Sequence, residues 1–203
     1  MKKTKAVGKE IVSWALVLVF ALVITAGLNS KVFATAVVHE SSMENTLFAN
    51  ERLVVNKFNY NFSKPQRGDI IVFLEEEEKG NLIKESSRFF DSMLLFFTNP
   101  KEIEDKYPRL VKRVIGIEGD VIEIKEHLVY VNGKQIEEHY IKNDTEAGDI
   151  EFPLTVGQGE LFVLGDNRKV SLDSRDFGAI SVKQVEGKVS FRFSPMKKMG
   201  SVK

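Results

Sequence analysis

The order of apolar and polar positions divides the chain into two unlike parts. Residues 11–30 contain no charged residue, and residues 11–28 are almost entirely Val, Leu, Ile, Ala and Phe. Beyond residue 30 the apolar residues come in short runs, rich in β-branched side chains and separated by turn formers, which is typical of strands. The pattern therefore predicts one apolar helix followed by a mostly β domain.

The apolar run is long enough to cross a membrane. As a helix, residues 11–28 would rise roughly 27 Å, close to the hydrocarbon thickness of a bilayer. Four lysines precede the run against a single acid, Glu10, and the positive-inside rule places them in the cytoplasm. The interpretation is a cytoplasmic N-terminus at residues 1–10, a single transmembrane helix at 11–30 in the cell membrane and an extracytoplasmic domain at 31–203.

A cleaved secretory signal is the alternative interpretation of this run. Ala34-Thr35-Ala36 has the small-x-small form of a cleavage site. The run is longer than the roughly 7–15 apolar residues of a usual signal core, and residues 31–33 separate it from these alanines. The pattern favours an anchor that is not removed.

The domain that follows is predicted to form antiparallel sheets. Asn132-Gly133 follows the apolar run at 128–131 and leads into Lys134-Gln135-Ile136, which is a strong hairpin signal. The predicted strands are residues 52–58, 69–74, 111–117, 120–125, 128–131, 134–136, 160–164 and 187–193.

An insertion at residues 75–108 interrupts this pattern. It begins with an acidic run at 75–78, and residues 86–97 then place Phe, Met and Leu at roughly helical spacing. Two interpretations remain open: a short helix that caps the β core, or an apolar surface helix that dips into the membrane.

Composition excludes several classes of function. Lys plus Arg and Asp plus Glu both number 29, so there is no basic surplus for binding nucleic acid. Cysteine is absent, which excludes a disulfide scaffold, a thiol nucleophile and a cysteine-ligated metal. The three histidines lack the spacing of a metal site, and neither a metal nor another cofactor is expected.

A serine and a lysine are the candidates for nucleophilic chemistry. Ser42 lies just past the apolar run, and a serine hydroxyl needs a neighbour that takes its proton. A lysine can do so when it is neutral, and burial lowers its pKa. Lys112 lies in an apolar, strand-like run, where successive side chains alternate between faces. If Arg113 faces solvent, Lys112 lies on the buried face.

Two alternatives stay open at the level of these residues. Lys112 and Arg113 could both be ordinary surface residues. A Ser–His–Asp hydrolase could instead pair Ser42 with His127 or His139, although the chain has no nucleophile-elbow motif around the serine.

Five motifs, taken in order, resemble those of the bacterial type I signal peptidases. They span nearly the whole domain after the apolar run, and the single N-terminal anchor resembles the form common in Gram-positive bacteria. The motifs are Ser42-Met43 with Thr46-Leu47; Arg52-x-x-Val55-Asn56-Lys57; Arg67-Gly68-Asp69-Ile70; Lys112-Arg113-Val114-Ile115-Gly116 with Gly119-Asp120; and Gly165-Asp166-Asn167-Arg168 with Ser171-x-Asp173-Ser174-Arg175.

The resemblance implies a membrane-bound serine endopeptidase that removes signal peptides from secretory preproteins after small residues, without a cofactor. Its β fold would be the one shared with self-cleaving, repressor-type Ser–Lys proteases, and the enzyme would act as a monomer beside membrane lipid. In this family pattern Ser42 is the nucleophile, Lys112 the general base and later acid, Ser171 a group that hydrogen-bonds and orients the lysine, Asp173 and Arg175 a supporting pair, and Met43 an apolar neighbour of the dyad.

Three positions depart from the family pattern. Glu40 stands where Ser or Gly usually contributes to the oxyanion hole, and Asn45 and Glu118 stand where proline is common. Glu40 keeps open a non-catalytic or weakly active paralogue that binds exported peptides or assists another signal peptidase. A self-cleaving repressor-type protein is disfavoured by the predicted anchor and by the lack of a DNA-binding module.

Overall fold

The computed structural model describes residue 10 and residues 13–21, 32–75 and 108–202. Residues 13–21 form a helix, α1, whose side chains are exposed. Within these described ranges no helix is both long and apolar enough to span a bilayer. The remainder of the predicted span at 11–30, and the predicted helix at 86–97, lie outside the described residues.

The domain after α1 is built from short strands, as predicted. The strands are β1 (Phe33–Val37), β2 (Arg52–Asn56), β3 (Ile70–Leu74), β4 (Arg109–Ile117), β5 (Val121–Lys125), β6 (Leu128–Val131), β7 (Lys134–Gln135), β8 (Leu154–Thr155), β9 (Glu160–Leu164), β10 (Ile180–Ser181), β11 (Val185–Ser194) and β12 (Gly200–Ser201). The helices are α2 (Asn59–Phe62) and α3 (Ser174–Phe177), with 3-10 turns at Val182–Gln184 and Met196–Lys198. The mostly β prediction is confirmed.

These strands form two antiparallel sheets. The larger sheet has the order β1-β2-β11-β3-β4-β9-β10, with β12 beside β11. The smaller sheet has the order β7-β6-β5-β8. Glu75 N donates to Pro108 O at 3.3 Å. The end of β3 and the start of β4, which flank residues 76–107, therefore lie next to each other.

Strand β1 was missed by the sequence pattern. Its residues pair in register with β2, Ala34 opposite Val55 and Ala36 opposite Leu53. Three of its five residues are aromatic or β-branched and favour a strand, but the small-x-small form of residues 34–36 suggested a cleavage site instead. The stretch that resembled a cleavage site is therefore an edge strand of the large sheet.

Strand β4 brings both members of the Lys112-Arg113 pair into the interior. Lys112 lies on the face of Leu110 and Val114, and Arg113 on the opposite face. Lys112 is 0% exposed and Arg113 is 3% exposed. The alternative that both are surface residues is therefore wrong, and Lys112 is buried without Arg113 facing solvent, because β4 is a central strand covered on both faces.

Candidate active site

A tight turn at residues 41–47, the nucleophile turn, presents Ser42. Glu44 N donates to Ser41 O at 3.0 Å, and Leu47 N donates to Met43 O at 2.8 Å. Met43 and Leu47 are 1% and 0% exposed and pack in the same hydrophobic cluster. Because these two side chains are buried, the turn is held against the core. Ser42 is its second residue.

Ser42 and Lys112 meet across the fold. Lys112 Nζ donates to Ser42 Oγ at 2.8 Å, although the two residues are 70 positions apart. Burial lowers the pKa of Lys112, while the nearby carboxylates of Glu40 and Asp173 act in the opposite direction. A buried lysine held close to a serine hydroxyl can, when neutral, take the hydroxyl proton.

The two histidines considered as alternative bases, His127 and His139, occupy other places. His127 lines a polar surface cavity of about 360 Å³ with Lys142, Asn143 and Lys169 among its neighbours. His139 faces Glu137 at 3.6 Å, and both side chains are about nine-tenths exposed. In the described part of the chain, the base within hydrogen-bond distance of Ser42 Oγ is Lys112, and not His127 or His139.

The loop at residues 165–168 holds the backbone of the nucleophile turn. Asn167 N donates to Ser42 O at 2.9 Å, and Asn167 Nδ2 donates to Ser41 O at 3.1 Å. Both peptide groups that flank the Ser42 side chain are thereby fixed. Asn167 belongs to one of the sequence motifs, but its role could not be predicted, because the contact depends on the tertiary approach of two loops.

Gly165 permits this approach. A Cβ at this position would lie 2.2 Å from Ser171 Oγ and 2.5 Å from Ser42 O. No side chain fits there without displacing the serines, so the glycine is required by the site and was likewise missed as a functional position.

Ser171 lies beside the dyad but is not bonded to it. Its side chain is buried, and its Oγ has no hydrogen-bond partner among the residues that the structure describes. The Ser171–Lys112 hydrogen bond implied by the resemblance is therefore not formed in this structure. A buried hydroxyl without a hydrogen-bond partner lowers the stability of the folded protein. Ser171 Oγ and Ser42 O both lie next to Gly165.

Asp173 and Arg175 form the predicted pair at the back of the site. Arg175 Nε and Nη2 donate to the two Asp173 carboxylate oxygens at 2.8 and 2.9 Å. Asp173 Oδ2 also accepts from Gly165 N at 3.0 Å, and Arg175 Nη2 donates to Ser171 O at 3.3 Å. The pair thus ties the Gly165 loop to the Ser171 segment.

A second buried ion pair, absent from the predicted site, supports the other side. Arg113 Nε and Nη2 donate to the two carboxylate oxygens of Asp166 at 2.9 and 2.7 Å, and Thr46 Oγ1 donates to the same carboxylate. The guanidinium lies 3.9 Å from the centroid of the Tyr140 ring. The sequence motifs include both residues but do not indicate this pair, because Arg113 lies in β4 and Asp166 in the loop at 165–168, and only the fold brings them together.

The three departures from the family pattern have distinct outcomes. Glu40 is exposed, and its carboxylate raises the pKa of Lys112. Asn45 has φ +99°, whereas proline is fixed near −65°, so the turn at this point has a conformation that proline cannot adopt. Glu118 lies away from the dyad, where it accepts from Lys64 Nζ at 3.0 Å.

Comparison with known proteins points to the same family as the sequence motifs. The family described as signal peptidase, peptidase S26, matches residues 11–194. The chain is 35% identical to signal peptidase I of Bacillus caldolyticus, over 87% of this chain and 88% of that protein. It is 31% identical to signal peptidase I P of Bacillus subtilis subsp. natto, over 99% and 98%.

A solved structure is also similar. The crystal structure of a signal peptidase I from Enterococcus faecalis V583 is 29% identical in sequence, and the match covers 63% of this chain and 98% of that chain with a TM-score of 0.42.

Proposed function

The chain belongs to the signal peptidase family, peptidase S26, and we propose that it removes N-terminal signal peptides by a Ser42–Lys112 mechanism while anchored in the cell membrane. The observation that carries the proposal is the 2.8 Å contact between Lys112 Nζ and Ser42 Oγ. Lys112 is buried and its pKa is lowered by that burial, which increases the fraction of neutral lysine that can accept a proton.

The first half of the reaction forms an acyl-enzyme. Ser42 Oγ attacks the scissile carbonyl carbon as Lys112 Nζ takes the hydroxyl proton, giving a tetrahedral oxyanion. The Ser42 backbone N–H is a donor for this oxyanion. When the intermediate collapses, Lys112 returns the proton to the amide nitrogen of the leaving mature protein, and the signal peptide remains as an ester on Ser42.

The second half releases the signal peptide. A water molecule gives its proton to Lys112 as it attacks the ester carbonyl, and collapse of the second intermediate returns the proton to Ser42 Oγ. The lysine therefore acts twice as base and twice as acid, and the enzyme ends in its starting state.

The surrounding residues orient the dyad in this proposal. Ser171 is the group that completes the hydrogen bonding of Lys112 when Ser42 is acylated, and its unpaired Oγ beside Gly165 is compatible with that role. The Asp173–Arg175 pair holds the segment that carries Ser171. Met43, buried in the turn next to Ser42, helps to exclude bulk water from the dyad.

The anchor and the substrate class belong to the same proposal. Residues 11–30 would span the membrane once, with residues 31–203 outside, and the described helix at 13–21 is compatible with such a span. The enzyme would work as a monomer beside membrane lipid and would cleave secretory preproteins after Ala-x-Ala.

A pair of neighbouring serines gives the direct test. The full chain in detergent is incubated with a preprotein carrying an Ala-x-Ala site, beside its Ser42→Ala and Ser41→Ala variants, and the mature product is quantified. Ser42→Ala should lose at least about 1,000-fold in rate because the nucleophile is gone. Ser41 is exposed and lends only its backbone carbonyl to the turn, so Ser41→Ala should cleave like the parent.

Appreciable cleavage by Ser42→Ala would refute the nucleophile assignment. A folded parent that yields no product would instead favour the non-catalytic, peptide-binding paralogue.

A further inference from the structure

We propose that Asn45 is a positioning residue for the reaction: its side chain holds the nucleophile turn, and hence the Ser42 hydroxyl, against the chain at residues 140–141. The proposal rests on the Ser42 mechanism above. Asn45 Nδ2 donates to Tyr140 O and to Ile141 O, both at 3.1 Å. A primary amide has two N–H donors, and here both are used on consecutive carbonyls nearly a hundred positions away in the chain.

The backbone of Asn45 is the second observation. Its φ of +99° lies in a region that side-chain-bearing residues rarely adopt, with asparagine among the more tolerant. Such conformations persist where surrounding contacts determine them, and they cluster at functional sites. The turn reverses three residues after Ser42, at the point where the Asn45 amide is bonded.

The residues on either side of Asn45 also connect the turn to neighbouring segments. Lys142 Nζ donates to Glu44 at 2.6 Å, and Thr46 Oγ1 donates to Asp166. Asn167 fixes the Ser41 and Ser42 carbonyls from another side. The amide of Asn45 adds a contact between the turn and residues 140–141, next to the Glu44 contact with Lys142.

The reaction is sensitive to this placement. Lys112 is fixed in a central strand, so the 2.8 Å separation of Nζ and Oγ depends on the position of the turn. A misplacement of roughly 1 Å can cost about 100-fold in rate. Asn45 is exposed and contributes little to the core, so loss of its amide should affect the rate more than the stability.

The test is Asn45→Gly in the full, detergent-solubilised chain, with kcat and KM measured on an Ala-x-Ala preprotein. Glycine adopts φ +99° without strain, so the substitution removes the two donors while the backbone conformation stays accessible. We expect kcat per folded molecule to fall about tenfold and KM to change by less than about twofold. The folded fraction, followed by thermal unfolding, should match the parent at the assay temperature.

Asn50→Gly is the matched control. Asn50 also has a positive φ, +67°, and its backbone N–H donates to Val38 O at 2.7 Å, an interaction that glycine retains. Its kcat should equal that of the parent.

Two outcomes would overturn the proposal: a parental kcat in Asn45→Gly, or a loss fully accounted for by a smaller folded fraction. Absence of cleavage by the parent itself would refute the proposed function, and the positioning role with it. The two failures are thus distinguishable.

Discussion

At the scale of single residues, the charge of Lys112 is set by opposing influences. Burial of the ammonium group lowers its pKa, while the carboxylates of Glu40 and Asp173 raise it. Asp173 is already paired with Arg175, whereas Glu40 is exposed at the entrance of the nucleophile turn. Glu40 therefore makes the proton harder to remove from Lys112, and its effect on the reaction should depend on pH.

Glu40→Gln should move the acid limb of the rate–pH profile to lower pH. Removing the carboxylate removes a stabilising partner of the charged lysine, so the pKa of Lys112 falls further and the neutral fraction at a given pH rises. The measurement is kcat/KM for an Ala-x-Ala preprotein across the pH range in which the rate rises.

Glu118→Gln serves as the control, since Glu118 is paired with Lys64 away from the dyad and its loss should leave the limb in place. A limb that stays still in Glu40→Gln, or moves to higher pH, would contradict this account of Lys112.

At the scale of elements, the site is formed where the nucleophile turn meets the loop at 165–168. Their contact is close enough that Gly165 has no room for a Cβ beside Ser171 Oγ and Ser42 O. The same glycine donates its N–H to Asp173 Oδ2 at 3.0 Å. Gly165 therefore packs against Ser42 and Ser171 and is hydrogen-bonded to the Asp173–Arg175 pair.

Gly165→Ala should reduce kcat about 100-fold, because the new methyl group must displace Ser171 or the carbonyl of Ser42. Gly200→Ala is the matched control: a Cβ there meets nothing within 4 Å, and its activity should be parental. The measurement is the cleavage rate of each variant at equal folded concentration. Parental activity in Gly165→Ala would mean that the contact is looser than the structure indicates.

Sequence patterns predicted the elements better than the contacts between them. Most strands from β2 onward follow β-branched runs that a local pattern can detect, while the alternating small residues at 34–36 in β1 suggested a cleavage site. Residue type and family motifs predicted Ser42 and Lys112 as the nucleophile and base, and the structure places them in contact. The roles of Gly165, Asn167 and the Arg113–Asp166 pair could not be predicted, because they arise only when distant loops pack.

At the scale of the whole molecule, one sheet gathers the site from segments that are far apart in the chain. Strand β4 carries Lys112 between β3 and β9, β1 leads into the nucleophile turn, and the chain after β9 supplies the loop at 165–168 and Ser171. The proposed membrane span at 11–30 precedes β1 directly. Such an arrangement would place the dyad on an extracytoplasmic domain close to the membrane surface, where a translocated preprotein emerges.

The dependence of cleavage on Lys112 tests the central claim most directly. The full chain and its Lys112→Ala variant, both folded in detergent, are incubated with an Ala-x-Ala preprotein at several pH values, and the mature product is sequenced and quantified. The Ser–Lys mechanism predicts product from the parent, with a rate that rises as Lys112 loses its proton, and a rate at least about 1,000-fold lower from Lys112→Ala. Comparable cleavage by the two proteins would contradict it, because the base that activates Ser42 would then lie elsewhere.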